Sequence, residues 1–196
     1  MADPFDSRPI IVALAGPNGA GKSTFYEAFL QQTGLRFINA DNIARELGID
    51  AYEASEFADR LRETLVTQNE SFVFETVFSD PVGSKVEFLK NAQGRGYTVL
   101  LCFIGLDSAS TSDDRVAMRV MQGGHDVAAD KVAARYPRSL ENLHRAIAAL
   151  RFVRVYDNSN LEQPFRKVAE FEDGVATHTD SSLPEWMIAL ARDADR

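Results

Sequence analysis

"LAGPNGAGKSTF", Leu14 to Phe25, is the stretch on which the fold of this chain turns. It stands directly behind the apolar run Ile10–Ala15 and holds three glycines, a lysine and two hydroxyl residues. From Gly16 the pattern G-x-x-x-x-G-K-[ST] is met at every fixed position, in the strand–loop–helix context the motif needs. Glycines at this spacing let backbone N–H groups curl round a phosphate, and the helix start adds the positive end of its dipole. Gly16, Pro17, Asn18, Gly19, Ala20, Gly21, Lys22, Ser23 and Thr24 are therefore the candidate ATP-binding residues. Lys22 is expected to reach the β- and γ-phosphate oxygens, and the Ser23 hydroxyl to ligate Mg²⁺. The motif identifies a phosphoryl donor and is silent on the acceptor.

Working outward, 196 residues at 45% hydrophobic content suit one compact domain with a real core and a closed cleft. The 21 basic and 29 acidic residues leave a net charge of −8, which argues against a nucleic-acid partner. The one cysteine, Cys102, lies within the apolar run "YTVLLCFIGL" and reads as a buried small hydrophobe. The opening "MADPFDSRPIIVALAG" has aspartates where a secretory leader needs positive charge, and no apolar stretch approaches the roughly 20 residues of a membrane span. A cytoplasmic protein with no membrane partner is the expectation.

Ile10–Ala15 is fully apolar, as a strand covered on both faces should be. A helix is expected from Gly21 to about Gln32, capped by Thr33-Gly34. "RFIN" (Arg36 to Asn39), "SFVFETVF" (Ser71 to Phe78), "YTVLLCFIGL" (Tyr97 to Leu106) and "FVRVYDNS" (Phe152 to Ser159) read as further strands. Residues Asp41 to Asn69 read as helix broken at Gly48, with Phe57, Leu61 and Leu65 inward and Arg62 and Glu63 outward. Asp80-Pro81 opens another helix, ending around Gly94 to Gly96. A long helical stretch follows, with breaks expected at Gly123-Gly124 and Pro137 and an apolar stripe of Leu140, Leu143, Ile147 and Leu150. "FRKVAEFEDGVATHT" reads as a hairpin turning at Asp173-Gly174, before a final helix with Leu183, Trp186, Met187, Leu190 and Ala191 on its apolar face. The alternation predicts an α/β fold: a P-loop NTPase-like, mostly parallel five-stranded sheet flanked by helices. A helical lid over roughly residues 108–138 and a C-terminal hairpin and helix over roughly 164–194 complete it. Ligands then bind beyond the carboxyl ends of the strands, where Asp41, Glu75 and Asp157 are expected.

A Walker B strand, four apolar residues ending in Asp, is missing, and "FVFE" (Phe72 to Glu75) is the nearest substitute. That disfavours motor, transporter and AAA-type ATPases and suits small metabolite kinases. Asp41 stands where such kinases place an acceptor-side carboxylate, although it could equally cap the following helix. Glu75-Thr76 ends the third strand, and a charged residue there is not expected to be pure core. Arg115 and Arg119 share a helix face, and Arg135 and Arg138 follow; such a segment could close over a triphosphate, or be a solvated basic face. On the first view Gly123-Gly124 is a hinge. His125 reads as a capping or hydrogen-bonding residue, and His144 and His178 have no partner in sequence.

Taken in order, "GPNGAGKSTF", "INADNIA", "FVFETVFS", "RVMQGGHDVAADKVAARYPRSLENL" and "VYDNS" resemble the zeta-toxin family of P-loop kinases, in particular its compact predicted ABC-type ATPase/kinase branch. The resemblance covers roughly Ile10 to Ser159. It implies that Asp41 is the base for the acceptor hydroxyl and that Glu75 and Thr76 face the acceptor. It also implies that Arg119 and Arg135 clamp the transferring phosphoryl. Better-studied members phosphorylate UDP-N-acetylglucosamine on the sugar 3′-hydroxyl and are held off by a small antitoxin protein. This chain is shorter than those members, and its lid arginines are spaced differently.

The expected activity is an ATP/Mg²⁺-dependent phosphotransferase with an alcohol group as acceptor, a UDP-sugar before others. Lys22, Asp41, Arg119 and Arg135 are its catalytic candidates and Ser23 its metal ligand. A kinase of another small metabolite or a nucleoside is the enzymatic alternative. A nucleotide-gated partner-binding protein with little turnover is the alternative of another class.

Overall fold

The computed structural model describes residues 3–121 and 128–188; the side chains of residues 119–121 fall outside that description. β1 (Ile10–Ala15) runs down the middle of the sheet with all six residues buried, which is why no polar residue interrupts it. At its end the chain turns sharply at Gly16 (φ 145°), where a Cβ would run into the Ile104 carbonyl. The loop then opens into α1 (Lys22–Phe25), which widens into a π-type turn over Tyr26–Leu30 and tightens into a 3₁₀ turn over Gln31–Thr33. Gly34, left-handed at φ 66°, ends this helical run as expected.

β2 (Arg36–Ile38), α2 (Ala40–Leu47) and α3 (Ala51–Thr67) follow, with left-handed Gly48 separating the two helices. Then come β3 (Phe72–Thr76), α4 (Ser84–Gly94) and β4 (Thr98–Gly105). α5 (Ala109–Met121), α6 (Ala129–Ala149), β5 (Phe152–Asp157), β6 (Arg166–Glu172) and β7 (Val175–Thr179) complete the order. One core layer packs the face of the sheet bearing Phe72, Phe74 and Phe103 against α3, α4 and α6, with Leu65, Leu89 and Leu143 at its centre. The other lies beneath α1, where Val12, Leu14 and Ile104 meet Phe25. No helix among the described residues is long and apolar enough to cross a membrane.

The sheet has seven strands, not five, in the order β2-β3-β1-β4-β5-β6-β7. The first five pair in parallel, and β6 and β7 add antiparallel. The hairpin forms as its sequence predicts, and it extends the same sheet, which its sequence does not predict. β5 leaves its outer edge open, and a connection too short for a helical crossover returns the chain antiparallel along it, Asp157 opposite Arg166 and Phe152 opposite Glu172. Val168 and Ala169 are buried in that addition.

Pro137 does not break the helix. α6 runs through it from Ala129 to Ala149, so the expected separate lid helix ending there is continuous with the helix packed on the core. Tertiary bonds on either side outweigh the lost N–H: Tyr136 donates to the Leu106 carbonyl at 2.7 Å, and Ser139 to the Val77 carbonyl at 2.8 Å. Arg62 was expected to face solvent and instead is buried on α3 with Ala54, Ala58 and Leu65, while Phe57 is exposed. The inward stripe of α3 is thus rotated from the one that Phe57 and Leu61 suggest, and runs through Ala54, Ala58, Arg62 and Leu65. Gly123, Gly124 and His125, and Leu190 and Ala191 of the last helix, lie outside the described residues.

Candidate active site

Neighbouring elements clasp the phosphate loop from two sides. From α5, Ser112 donates to the Asn18 carbonyl at 2.5 Å, and its own carbonyl stands where a Cβ on Gly19 would go. From the turn after β5, the buried Asn158 donates to the Ala20 carbonyl at 2.9 Å and fills the space beside Gly21. A side chain at either glycine would push these clamps away. Lys22 is 6% exposed and donates to the Gly16 and Pro17 carbonyls at 3.0 and 2.9 Å, so its ammonium lies over the loop it is meant to serve. Arg115 donates to the Ser159 carbonyl at 3.0 Å, which ties α5 to the same turn.

Glu75 sits at the end of β3, beside β1, and connects this loop to the rest of the site. The Ser23 hydroxyl donates to its Oε2 at 2.9 Å, the Asn39 amide donates to the same oxygen at 2.8 Å, and Lys22 Nζ is 3.8 Å from its Oε1. A hydroxyl and a carboxylate this close are hard oxygen donors of the kind Mg²⁺ takes along with phosphate oxygens. The pair therefore fits a magnesium site. Among the described residues no cluster of three His, Cys, Asp or Glu forms a self-sufficient metal cage.

Asp41 does not cap α2. That position is held by Asn39, whose Oδ1 accepts from the Asn42 N–H at 3.0 Å. Asp41, in the first turn, is left to line a cavity of roughly 480 Å³ together with Glu75, Thr76, Arg135 and Arg138. Thr76 also serves the backbone, its hydroxyl accepting from the Phe78 N–H at 3.0 Å where the chain turns left-handed. α6 carries the two arginines, and its Asn142 donates to the carbonyls of Phe78 and Asp80 at 3.0 and 2.9 Å. The cavity wall and the helix bearing its cations are thereby locked together. A wider hollow of roughly 670 Å³ beside Arg8, Arg36 and Ser71 lies at the opposite, amino ends of β2 and β3, away from the phosphate loop.

The site thus brings together Lys22, Ser23, Asp41, Glu75, Thr76 and Arg135. The Arg119 side chain lies outside the described residues. Asp157 is not part of the site. Its Oδ1 accepts from Trp186 at 2.9 Å and Ser159 at 2.6 Å, and Arg166 stands 3.9 Å from its Oδ2. Asn39, Arg62, Lys85 and Asn158 also serve the site, although the sequence assigns them no role in it, whereas Arg138 is one of the arginines expected near a triphosphate. Only Asn39 had a usable signal, a helix-capping residue two places before Asp41.

The family model AAA_33, described as an AAA domain, matches residues 11–141. An uncharacterised protein of Haemophilus influenzae is 31% identical over 126 residues, 62% of this chain and 88% of that one. Among solved structures, the AvrRxo1-ORF1:AvrRxo1-ORF2 complex with sulphate ions superposes with a TM-score of 0.63 at 21% identity, covering 89% of this chain. This chain spans 62% of the length of that one, and another structure of the pair contains ATP. The PezAT chromosomal toxin-antitoxin system of Streptococcus pneumoniae superposes with a TM-score of 0.53 at 16% identity, covering 96% of this chain and 85% of that one. These neighbours share a P-loop kinase-like fold.

Proposed function

The chain belongs to the AAA_33 family, a P-loop kinase-like domain, and we propose that it is an ATP/Mg²⁺-dependent kinase acting on a hydroxyl of a small acceptor. One observation carries this reading. Glu75 is hydrogen-bonded to the Ser23 hydroxyl on the donor side and lines the same cavity as Asp41 and Arg135. A nucleotide hydrolase needs a water beside the phosphate loop; a second cavity walled by a carboxylate and arginines suits a second substrate.

Lys22 and the backbone N–H groups from Asn18 to Ser23 hold the triphosphate, and Ser23 with Glu75 would hold the metal. Bound Mg²⁺ supplies neutralisation of charge on the phosphate oxygens. Asp41 orients the acceptor hydroxyl and takes its proton as the oxygen attacks the γ-phosphorus and the bond to the β-phosphate oxygen breaks, releasing ADP. Arg135, and Arg119 by resemblance, stabilise the negative charge on the transferring group. The acceptor best supported by the zeta-toxin resemblance is a UDP-sugar such as UDP-N-acetylglucosamine. The likeness to the PezAT toxin-antitoxin system motivates a small antitoxin as a protein partner.

Mass spectrometry of a reaction panel of nucleosides, sugars and UDP-sugars tests the reading. A phosphorylated UDP-sugar formed together with ADP is the expected product. ATP binding without transfer to any acceptor, in the panel or in an extract, would overturn it. A toxic role further predicts that expression slows growth and that Lys22→Ala relieves the effect; unhindered growth by active protein would refute toxicity alone.

A further inference from the structure

The cavity that holds Asp41 has a cationic wall contributed by three separate helices: Arg62 from α3, Lys85 from α4, and Arg135 and Arg138 from α6. Arg62 is 5% exposed, and its guanidinium carbon lies 4.8 Å over the ring of Phe74, the residue next to Glu75. One carboxylate serves both inner cations: Asp59 pairs with Arg62 and accepts from Lys85 at 2.6 Å. The other acidic group of this wall, Asp80, accepts from the Ser84 N–H and the Asn142 amide. Exposed Glu63 lies near enough to act on both cations at longer range.

Stability alone gives little reason for this arrangement. A buried arginine in an ion cluster contributes no more than a well-packed apolar residue of its size, because desolvation offsets the attraction. Burial, reinforced by the Arg62 charge, lowers Lys85 to about 8, and the opposite pull of Asp80 and Glu63 does not restore it. The four cations of this wall, Arg62, Lys85, Arg135 and Arg138, are met on it by two carboxylates, Asp59 and Asp80, and would gain from a further negative group.

We propose that Arg62 and Lys85 form an oxyanion subsite, so that the acceptor carries a phosphate ester or a carboxylate as well as the hydroxyl that it presents to Asp41. The inference rests on the kinase reading for its acceptor and extends it. Carboxylates at one end of the cavity and cations at the other give an anionic alcohol a single orientation, which an uncharged sugar or nucleoside would lack.

Titration calorimetry tests this on the full chain with a non-hydrolysable ATP analogue already filling the phosphate loop. Pyrophosphate and malonate serve as probes, the first reporting phosphate recognition and the second carboxylate recognition. One of the two is expected to bind, with affinity reduced about ten- to a hundredfold in Arg62→Met and Lys85→Met and less in Arg62→Lys. Wild-type protein that binds neither probe, or Met variants that bind as tightly as wild type, would overturn the proposal. If Arg62→Met does not fold by circular dichroism, Lys85→Met carries the same comparison. In transfer assays the variants should raise KM for an anionic acceptor far more than they lower kcat. Efficient transfer to a neutral acceptor, unchanged by these substitutions, refutes the subsite and leaves the kinase reading standing. Probe binding without transfer to any acceptor does the reverse.

Discussion

Glu75 receives hydrogen bonds from Ser23 and Asn39, and both would survive in shape, though not in charge, if its carboxylate became an amide. Because Glu75 stands on the metal side with Ser23, Glu75→Gln should lower the apparent magnesium affinity of transfer by about ten- to a hundredfold. Transfer measured against Mg²⁺ concentration reads this, and an unchanged midpoint would remove Glu75 from the metal side. Asp41 is different in kind, since it has no capping duty and lines only the acceptor cavity. Asp41→Asn should therefore reduce transfer by about 10²- to 10⁴-fold while nucleotide affinity stays put. Wild-type turnover in that variant would move the base elsewhere. Cys102 belongs to the core, where burial pushes its thiol up to about 12. It should ignore thiol reagents at pH 8 in the folded protein and react fully in denaturant.

At the scale of elements, the phosphate loop depends on what stands around it. α5 and the turn after β5 hold the Asn18 and Ala20 carbonyls, so the loop's shape is set by tertiary contacts as well as by its glycines. The end of β5 depends in turn on the last helical segment. Trp186 packs against Gly105, leaving no room for a Cβ there, and donates to Asp157. Trp186→Ala would open a cavity and leave a buried carboxylate short of a donor, at a cost of about 3–5 kcal/mol. Urea unfolding measures this; a loss under 1 kcal/mol would mean the segment is a loose appendage. The hairpin β6–β7 makes the same point, because Val168 and Ala169 are buried by pairing with β5 and not by the hairpin itself.

At the scale of the molecule, donor site and acceptor cavity are both built at the carboxyl ends of parallel strands, with β3 supplying Glu75 to each. A ligand that joins the phosphate loop to these clamps should stabilise the whole chain. ATP with Mg²⁺ at a hundred times its dissociation constant is expected to add about 2.7 kcal/mol. For a chain of this size that raises Tm by several degrees (2–4 °C per kcal/mol). Lys22→Ala should lose most of the increment, and an equal shift in wild type and variant would show that binding does not use the loop.

Gly16, Gly19, Gly21, Lys22 and Ser23 made the existence and place of the phosphate loop legible in sequence, because its spacing, turn and helix start all lie within one short segment; Ser112 and Asn158, which clasp it, come only with the tertiary structure. The fully apolar strands and the glycine-ended helices were legible for the same reason. The tertiary structure alone decided that Asn39 caps α2 and so leaves Asp41 to the cavity. It also decided that Pro137 is carried through α6, and that the hairpin adds two strands to the sheet. Arg62 shows most clearly why local pattern fails there. Its neighbours in sequence mark a solvent-facing helix position, and only the packing of α3 on Phe74, with Asp59 and Lys85 close by, gives a buried charge the partners that make it tolerable.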